Sequence, residues 1–205
     1  MKFADLTVAR FLDALASSDP TPGGGTAAAV AGAMATSLLV MVTGLAKSNS
    51  NRDEEKSALA AARQALQPLG TTLASLADAD AAAFDEVMGA YRLAKATAEE
   101  KAARSAAIQK ALQGATLAPL HTLRACAEAM VHAGAVAANG NRSAVSDVGV
   151  AIGLLEAAAA GAEANVRINL GSVRDLQFAS ATGDETSRLV ADVTRQAAAA
   201  RARLA

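Results

Sequence analysis

The chain is organised around one short stretch, Asp19-Pro20-Thr21-Pro22-Gly23-Gly24-Gly25-Thr26, and the uncharged segment that follows it to Ala46. Its two prolines fix φ, and its three successive glycines allow close approaches that any side chain would prevent. Thr26 is a candidate cap for the next helix, so several backbone N–H groups are expected to point at one spot. Such a loop can hold an anion or a flat polar ring. A tight turn between two helices would use the same residues, and this stretch alone leaves both interpretations open.

The composition favours an all-α fold. Hydrophobic residues make up 52% of the 205-residue chain, but alanine supplies most of them, and aromatic residues account for only 2%. Alanine is the best helix former, and the runs of Val, Ile, Thr and aromatic residues that predict strands are nearly absent. No linker or abrupt change of composition divides the chain. We therefore expect a single helical domain over residues 1–205.

The spacing of apolar residues predicts a bundle of seven or eight helices joined by short turns. The first helix, capped by Thr7, ends near Ser17 and is expected to bury Val8, Phe11, Leu12 and Leu15. The central helix is predicted to end near Ala46, and the next runs through Leu59–Leu69 with Pro68 as a kink or restart. Three further helices are predicted at Leu73–Lys95, from Glu99 to Gly114, and at Thr116–Ala138 with Pro119 near its start. The last two run from Ser143 or Ser146 to Leu170, and onward from Asp184 or Thr186.

Charge and cysteine content exclude some classes of protein. The net charge is −1 and basic residues are not clustered, whereas nucleic-acid binding favours a basic patch. Cys126 is the single cysteine, so it has no partner for an intrachain disulfide. No leader pattern opens the chain, and a reducing cytoplasm is the expected compartment.

Residues 26–46 are long enough to cross a bilayer, which takes about 20 apolar residues. Most of them are Ala, Gly, Ser and Thr, which partition weakly into lipid. A row of mostly small residues at i, i+4 spacing favours a central helix that protein surrounds closely: Ala28, Gly32, Thr36, Val40 and Gly44. A membrane helix dimer is the alternative for the same row. The uncharged, alanine-rich faces also make a homodimer a reasonable expectation.

Two groups of titratable residues are candidates for chemistry. His121, Glu128 and His132 share a helical face, but the two histidines are separated by about 16 Å of helix rise and cannot hold one ion. We therefore predict no metal site. Asp80 and Asp85 lie on a helix with aromatic residues, either as a solvated acidic face or with one carboxylate turned into a cleft for proton transfer.

Two further polar features stand out. The segment Asn139-Gly140-Asn141-Arg142-Ser143-Ala144-Val145-Ser146-Asp147 is a second loop leading into a helix, where Ser146 and Asp147 suit a cap and a first-turn acid. Asn165 and Asn169 are spaced i, i+4 on an otherwise apolar helix. Because buried amides require partners, these two either brace the bundle or hydrogen-bond a polar heterocycle.

Four segments together resemble a known family. These are residues 11–15 with 20–29, residues 78–91, residues 140–151 and residues 161–170. They resemble the cyclodeaminase/cyclohydrolase family, which comprises the C-terminal domain of formiminotransferase-cyclodeaminase and the stand-alone methenyltetrahydrofolate cyclohydrolases. The resemblance covers nearly the whole chain in order.

The resemblance implies a dimeric helical bundle with a folate site near the glycine loop. By similarity, Thr21, Gly23, Gly24 and Gly25 shape that site. Its polar complement is expected from Asn141, Ser146, Asn165 and Asn169. The leading candidates for the proton-transferring carboxylate are Asp147 and Asp80, and Asp85 comes next. No metal or redox cofactor is expected beyond the tetrahydrofolate substrate.

The implied reaction is hydrolysis of 5,10-methenyltetrahydrofolate to 10-formyltetrahydrofolate. It is favoured over cyclodeamination of formiminotetrahydrofolate because the chain carries no formiminotransferase domain. One segment departs from the family: where the cyclohydrolases commonly have a lysine-rich turn ending in an aromatic residue, this chain has Lys47-Ser48-Asn49-Ser50-Asn51-Arg52. Lys47 and Arg52 carry charge at other positions, which affects recognition of the anionic glutamate tail. An inactive folate-binding or structural dimer is therefore a further alternative.

Overall fold

The computed structural model of the chain describes residues 2–45 and 52–204, which contain helices and no strand. The all-α prediction is confirmed. Six α-helices are numbered here in chain order, and two short 3-10 helices, Phe3–Asp5 and Arg142–Ala144, precede α1 and α5. The bounds are α1 Val8–Leu15, α2 Gly24–Thr43, α3 Asp53–Tyr91, α4 Ala98–Asn139, α5 Val145–Leu170 and α6 Leu176–Arg201.

Neither Pro68 nor Pro119 starts a new helix, contrary to the prediction. Pro68 lies inside α3 and Pro119 lies inside α4, and both helices continue through the proline. A proline removes one backbone hydrogen bond from a helix interior, but buried leucines on both sides of Pro68, such as Leu66 and Leu73, hold the helix against the core. Burial of these side chains, at about 1.5–3 kcal/mol each, offsets the proline's cost.

The last helix starts earlier than predicted. Asp175 caps α6, because its side chain accepts a hydrogen bond from the backbone N–H of Phe178 at 3.0 Å. The predicted start at Asp184 or Thr186 is therefore wrong. Both residues are inside the helix, and Thr186 is fully buried.

α2 is the central helix of the bundle and contacts α3, α4 and α5. Its small residues allow this close packing, as predicted. A Cβ on Gly32 would lie 3.1 Å from Sγ of Cys126, and a Cβ on Gly161 of α5 would lie 3.1 Å from Cβ of Ala28. Cys126 is fully buried, and burial raises the pKa of its thiol to about 12. It is a packing residue, as the sequence indicates.

α1 does not bury the predicted stripe. Thr7 caps it as expected, with its hydroxyl accepting from the N–H of Arg10. No residue of α1 is buried, however, and Val8 and Leu12 are 76% and 57% exposed. These side chains border an apolar groove that continues onto Met34 of α2, itself 54% exposed. The apolar face that the pattern detected is real, but nothing in the described chain covers it.

Two segments are long and apolar enough, by length and composition alone, to cross a membrane: Gly24–Thr43 and Arg142–Leu170. Half of the apolar stretch of α2 is buried inside the protein. The core helix of a bundle has the same length and composition. The turn from Lys47 to Asn51 lies outside the described residues. The central helix, predicted to end near Ala46, ends at Thr43.

Candidate active site

A cleft of about 290 Å³ opens at the N-terminal end of α2, where the glycine loop meets α3, α4 and α5. This volume is near the lower end of the usual range for ligand sites. The lining residues are Pro20, Thr21, Gly23, Gly24, Gly25, Asp80, Phe84, Val87, Leu112, Ala115, Asn165 and Asn169. The fold thus brings three of the predicted features together: the loop, one carboxylate of α3 and the two amides of α5.

Asp80 lies at the N-terminus of α2. The hydroxyl of Thr26 donates a hydrogen bond to Oδ2 of Asp80 at 3.0 Å, and the backbone of Thr26 also bonds to the carboxylate. Burial raises the pKa of Asp80, and the two bonds from Thr26 partly oppose that rise. The site therefore holds a carboxylate that is desolvated yet anchored at the positive end of a helix.

Thr26 does not cap α2, contrary to the prediction. The N-cap is Gly23, which has no side chain to offer, and Thr26 is the third residue of the helix. A cap side chain normally accepts a hydrogen bond from this part of the first turn. Here Asp80, which comes from α3 and is 54 positions away in sequence, accepts a bond from the backbone of Thr26 as well as from its hydroxyl. A tertiary contact thus replaces the local cap.

The glycines of the loop differ in what they permit. A Cβ on Gly25 would lie 2.2 Å from Oδ1 of Asp80, so the carboxylate can occupy its position only because Gly25 has no side chain. A Cβ on Gly24 would lie 3.7 Å from Nδ2 of Asn165, an ordinary contact. Gly25 is therefore the glycine that the carboxylate requires.

The two amides of α5 brace the bundle through their NH₂ groups. Nδ2 of Asn165 donates to the carbonyl of Gly161, and Nδ2 of Asn169 donates to the carbonyl of Ala115 in α4, both at 2.8 Å. The carbonyl of Ala115 is the one that Pro119 leaves without a helical N–H donor. Neither side-chain oxygen accepts a bond from the described residues, so both can accept one from a ligand. The two predicted roles are thus compatible.

The second polar loop is not brought to this cleft within the chain. α2 and α5 run antiparallel, because Gly24 is beside Asn165 whereas a Cβ on Gly140 would lie 2.9 Å from Cγ1 of Val42. About 28 Å of helix rise therefore separates Asn165 from Ser146. Asn141 accepts a bond from the N–H of Ser143, and Asp147 lies in the first turn of α5. The roles predicted for Asn141, Ser146 and Asp147 stay predictions.

Asp85 also lies outside the cleft. It is exposed on α3, five residues after Asp80 and so on a different face of the helix. Phe84 and Val87, four and seven residues after Asp80, share its face and form an apolar wall. That spacing is a sequence signal for the wall. Leu112 and Ala115 of α4 have no such signal, because their position depends on how α3 and α4 pair.

The histidine-bearing face of α4 is separate from the cleft. His121 is exposed, and partial burial, with the nearby Arg124, lowers its pKa. Arg124 forms a bidentate ion pair with Glu185 of α6, at 2.7 and 2.8 Å. Among residues 2–45 and 52–204, no three His, Cys, Asp or Glu side chains are grouped closely enough to hold a metal ion.

These features define a class of protein: an all-helical bundle whose cleft joins a glycine loop to a carboxylate and two carboxamides. Residues 7–188 match the family model of formiminotransferase-cyclodeaminase. The chain therefore belongs to the formiminotransferase-cyclodeaminase family, as the four sequence segments indicated.

Relatives in this family carry two kinds of name. The methenyltetrahydrofolate cyclohydrolase of Methylorubrum extorquens is 43% identical over 91% of this chain and 89% of its own length. The formimidoyltransferase-cyclodeaminase of Rattus norvegicus is 32% identical over 95% of this chain. Here the match covers only 36% of the relative, so this chain spans about a third of the rat enzyme.

A solved structure has the same fold. The formiminotetrahydrofolate cyclodeaminase of Thermotoga maritima superposes with a TM-score of 0.86 at 27% identity. The match covers 98% of this chain and 96% of that one. The agreement extends over essentially the whole bundle and so includes the helices that form the cleft.

Proposed function

We propose that the protein is a methenyltetrahydrofolate cyclohydrolase, which converts 5,10-methenyltetrahydrofolate to 10-formyltetrahydrofolate. The observation that carries this proposal is the carboxylate of Asp80, held at the glycine loop in a cleft with two carboxamides. The 43% identity to a cyclohydrolase over most of both chains supports the same reaction.

The substrate's one-carbon bridge is a cation shared between N5 and N10, and Asp80 offers a negative charge to stabilise it. Water adds to the bridge carbon, and one of its protons passes to the carboxylate. The C–N5 bond then breaks, its electron pair goes to N5, and N5 takes the proton back from Asp80. The hydroxyl loses its proton to solvent as the formyl C=O forms on N10. One water is consumed and one proton is released.

The rest of the cleft suits the rest of the pterin end. Oδ1 of Asn165 and Oδ1 of Asn169 are acceptors for the N–H groups of the pterin ring, and their NH₂ groups are already fixed by main-chain carbonyls. Thr21, Gly23 and Gly24 also line the cleft, and Gly24 lies beside Asn165. We propose no cofactor beyond the tetrahydrofolate substrate, because the bridge carbon is already electrophilic and the reaction needs only proton transfer.

Cyclodeamination is the second candidate activity. In that reaction N10 attacks the formimino carbon on N5 and ammonia leaves, so the same tetrahedral carbon and a similar proton transfer are required. It is favoured by the fold of the Thermotoga maritima cyclodeaminase, which this chain shares over nearly its full length. An inactive folate-binding or structural dimer is the third candidate.

We also propose a homodimer that works in the cytoplasm without a membrane or a nucleic acid. The groove formed by α1 and α2 presents Val8, Leu12 and Met34 to solvent, and a contiguous apolar surface of this kind typically marks an interface. The net charge of −1 offers no basic patch for nucleic acid. Half of the apolar stretch of α2 is already buried inside the protein, which favours a core helix over a membrane span.

A direct assay separates the candidate functions. The purified protein is incubated with 5,10-methenyltetrahydrofolate, and loss of its near-ultraviolet absorbance is followed against a buffer control, with chromatography of the product. Faster decay to 10-formyltetrahydrofolate supports the cyclohydrolase. Ammonia release from 5-formiminotetrahydrofolate without that decay would assign the cyclodeaminase instead. No turnover of either substrate, together with folate-dependent thermal stabilisation, would leave only a binding protein.

A further inference from the structure

A second concavity, of about 390 Å³, adjoins the cleft between the C-terminal end of α3, the first turns of α4 and the connection from α5 to α6. We call it the arginine pocket because its lining includes Arg104 and Arg174. None of the sequence motifs pointed to it, since the two arginines are 70 positions apart.

Both arginines are held in place by neighbouring groups. Nε and Nη2 of Arg104 donate to the carbonyl of Tyr91 at 3.2 and 2.9 Å, and its guanidinium lies 5.6 Å from the centre of the Tyr91 ring. Nη1 of Arg174 donates to Oγ of Ser105 at 3.1 Å, and its backbone N–H donates to Oε1 of Gln109 at 2.7 Å. Both arginines that line the pocket are therefore fixed by hydrogen bonds to neighbouring residues.

The two guanidinium groups keep unsatisfied positive charge. Within the part of the chain that the structure describes, neither forms an ion pair, whereas Arg124, Arg167 and Arg201 each pair with a glutamate. Every hydrogen bond from Arg104 and Arg174 goes to a neutral oxygen. The neighbouring carboxylate of Asp175 accepts bonds from Phe178 and Gln113 and does not line the pocket. Two uncompensated guanidinium groups facing one concavity are suited to bind a carboxylate.

The arginine pocket continues from the cleft. Leu112 lines both, and along α3 the wall passes from Asp80 through Phe84 and Val87 to Tyr91. The eleven residues from Asp80 to Tyr91 correspond to about 16 Å of helix rise. The groove is thus polar at one end, apolar in the middle and cationic at the other end.

We infer that the arginine pocket binds the carboxylates of the substrate's glutamate arm, an inference that rests on the proposed function. A tetrahydrofolate has the same order of parts: a polar pterin, an apolar benzoyl ring and a glutamate. The arm from the one-carbon bridge to the glutamate carboxylates spans about 10–14 Å by summed bond lengths. The benzoyl ring then lies against Val87 and Leu112, and the carboxylates reach Arg104 and Arg174.

The turn from Lys47 to Arg52, which lacks the lysine run common in the family, gives an independent reason to assign this role to the arginine pocket. Arg52, the described end of that turn, precedes α3, and about 40 Å of helix rise separates it from Asp80. Within one chain, Arg52 is therefore far beyond the reach of a glutamate arm whose pterin lies at Asp80. Arg104 bonds to the carbonyl of Tyr91, about 16 Å of helix rise from Asp80, and the arm with a hydrogen bond at each end can bridge that gap.

The first test uses the unmodified protein and two unreactive ligands, 5-formyltetrahydrofolate and 5-formyltetrahydropteroate, which lacks the glutamate. Calorimetry is expected to show about 10- to 100-fold weaker binding of the pteroate, and the difference is expected to shrink as salt screens the charges. Equal affinities would overturn this inference alone. No binding of either ligand would overturn the proposed function together with it.

The second test places the effect on the arginines. Arg174→Gln and Arg104→Gln are each expected to weaken 5-formyltetrahydrofolate binding about 10-fold or more and to leave pteroate binding unchanged. Arg195→Gln, which removes an exposed arginine paired with Asp192 on α6, is the matched control and keeps native affinity. Melting temperatures identify a variant that fails to fold. If folded variants bind both ligands like the native protein, the pocket is not the carboxylate site.

Discussion

At the scale of single residues, the site depends on how Thr26 holds the carboxylate of Asp80. Burial raises the pKa of that carboxyl group, and hydrogen bonds from the hydroxyl and the backbone of Thr26 lower it. A raised pKa lets the group take a proton from water and return it to N5 in one catalytic cycle. The ionised form is the base, so activity is expected to rise with pH as Asp80 deprotonates.

Thr26→Val keeps the size of a fully buried side chain and removes its hydroxyl. Without that hydrogen bond the pKa of Asp80 rises further, so the acidic limb of kcat/KM is expected to move to higher pH. A pH–rate profile measures the shift. Thr194→Val, which removes an exposed hydroxyl bonded only to its own helix, is the matched control. An unmoved acidic limb in Thr26→Val would show that Asp80 does not set it.

Gly25→Ala tests the close approach between the loop and Asp80. The added Cβ would lie 2.2 Å from Oδ1, so the carboxylate must leave its place at the helix N-terminus. We expect kcat to fall by about 100-fold or more, in the range of a lost acid–base group. Gly153→Ala, where a Cβ meets nothing within 4 Å, controls for the effect of alanine in a helix. Native kcat in Gly25→Ala would contradict the role given to this contact.

At the scale of helices, the two internal prolines show what sequence patterns miss. The sequence predicts a kink or restart at Pro68 and a helix start near Pro119, because a proline costs a helix interior about 3 kcal/mol. Burial of the flanking leucines outweighs that local cost in both α3 and α4. In α4 the carbonyl of Ala115, which Pro119 leaves without a helical N–H donor, accepts a hydrogen bond from the amide of Asn169 at the cleft.

Pro119→Ala restores a backbone N–H that can bond to the carbonyl of Ala115 and so competes with Nδ2 of Asn169. We expect a melting temperature no lower than that of the native protein, but a KM raised about 2- to 10-fold as Asn169 loses its anchor. Pro68→Ala, at the other internal proline and away from the cleft, is expected to leave KM unchanged. Equal KM values in the two variants would contradict a role for Asn169 in substrate binding.

The sequence predicted much of this site for a physical reason. The glycine loop, Asp80 and the Asn165/Asn169 face carry recognisable local patterns, and the family resemblance joined them. The placement of the Asn141–Asp147 loop and the arginine pocket depends instead on how antiparallel helices pair, which no local pattern encodes. The local pattern predicts Thr26 as a cap, because nothing in it shows that the hydroxyl of Thr26 bonds to Asp80 on another helix.

At the scale of the whole molecule, the exposed apolar groove of α1 and α2 is the feature that the single chain leaves unexplained. Met34 lies within it and is 54% exposed. If two copies cover this groove, Met34→Glu places a charge in an apolar interface, which is costly to desolvate. Light scattering is then expected to show a dimer for the native protein and a monomer for Met34→Glu.

Val131→Glu is the matched control for that experiment, because Val131 is similarly exposed, at 52%, but lies on α4 outside the groove. It is expected to stay dimeric. A native monomer, or a Met34→Glu variant that remains a dimer, would contradict the assignment of this groove to the interface.

Asp80 is one of three carboxylates that the sequence offers as the group that transfers the proton. Asp80 lines the cleft, whereas Asp85 is exposed on another face of α3 and Asp147 is at the far end of α5. The deciding measurement is kcat for 5,10-methenyltetrahydrofolate hydrolysis by Asp80→Asn, Asp85→Asn and Asp147→Asn. We predict a loss of about 10²- to 10⁴-fold for Asp80→Asn alone. Near-native kcat in Asp80→Asn, with the loss in either other variant, would contradict it.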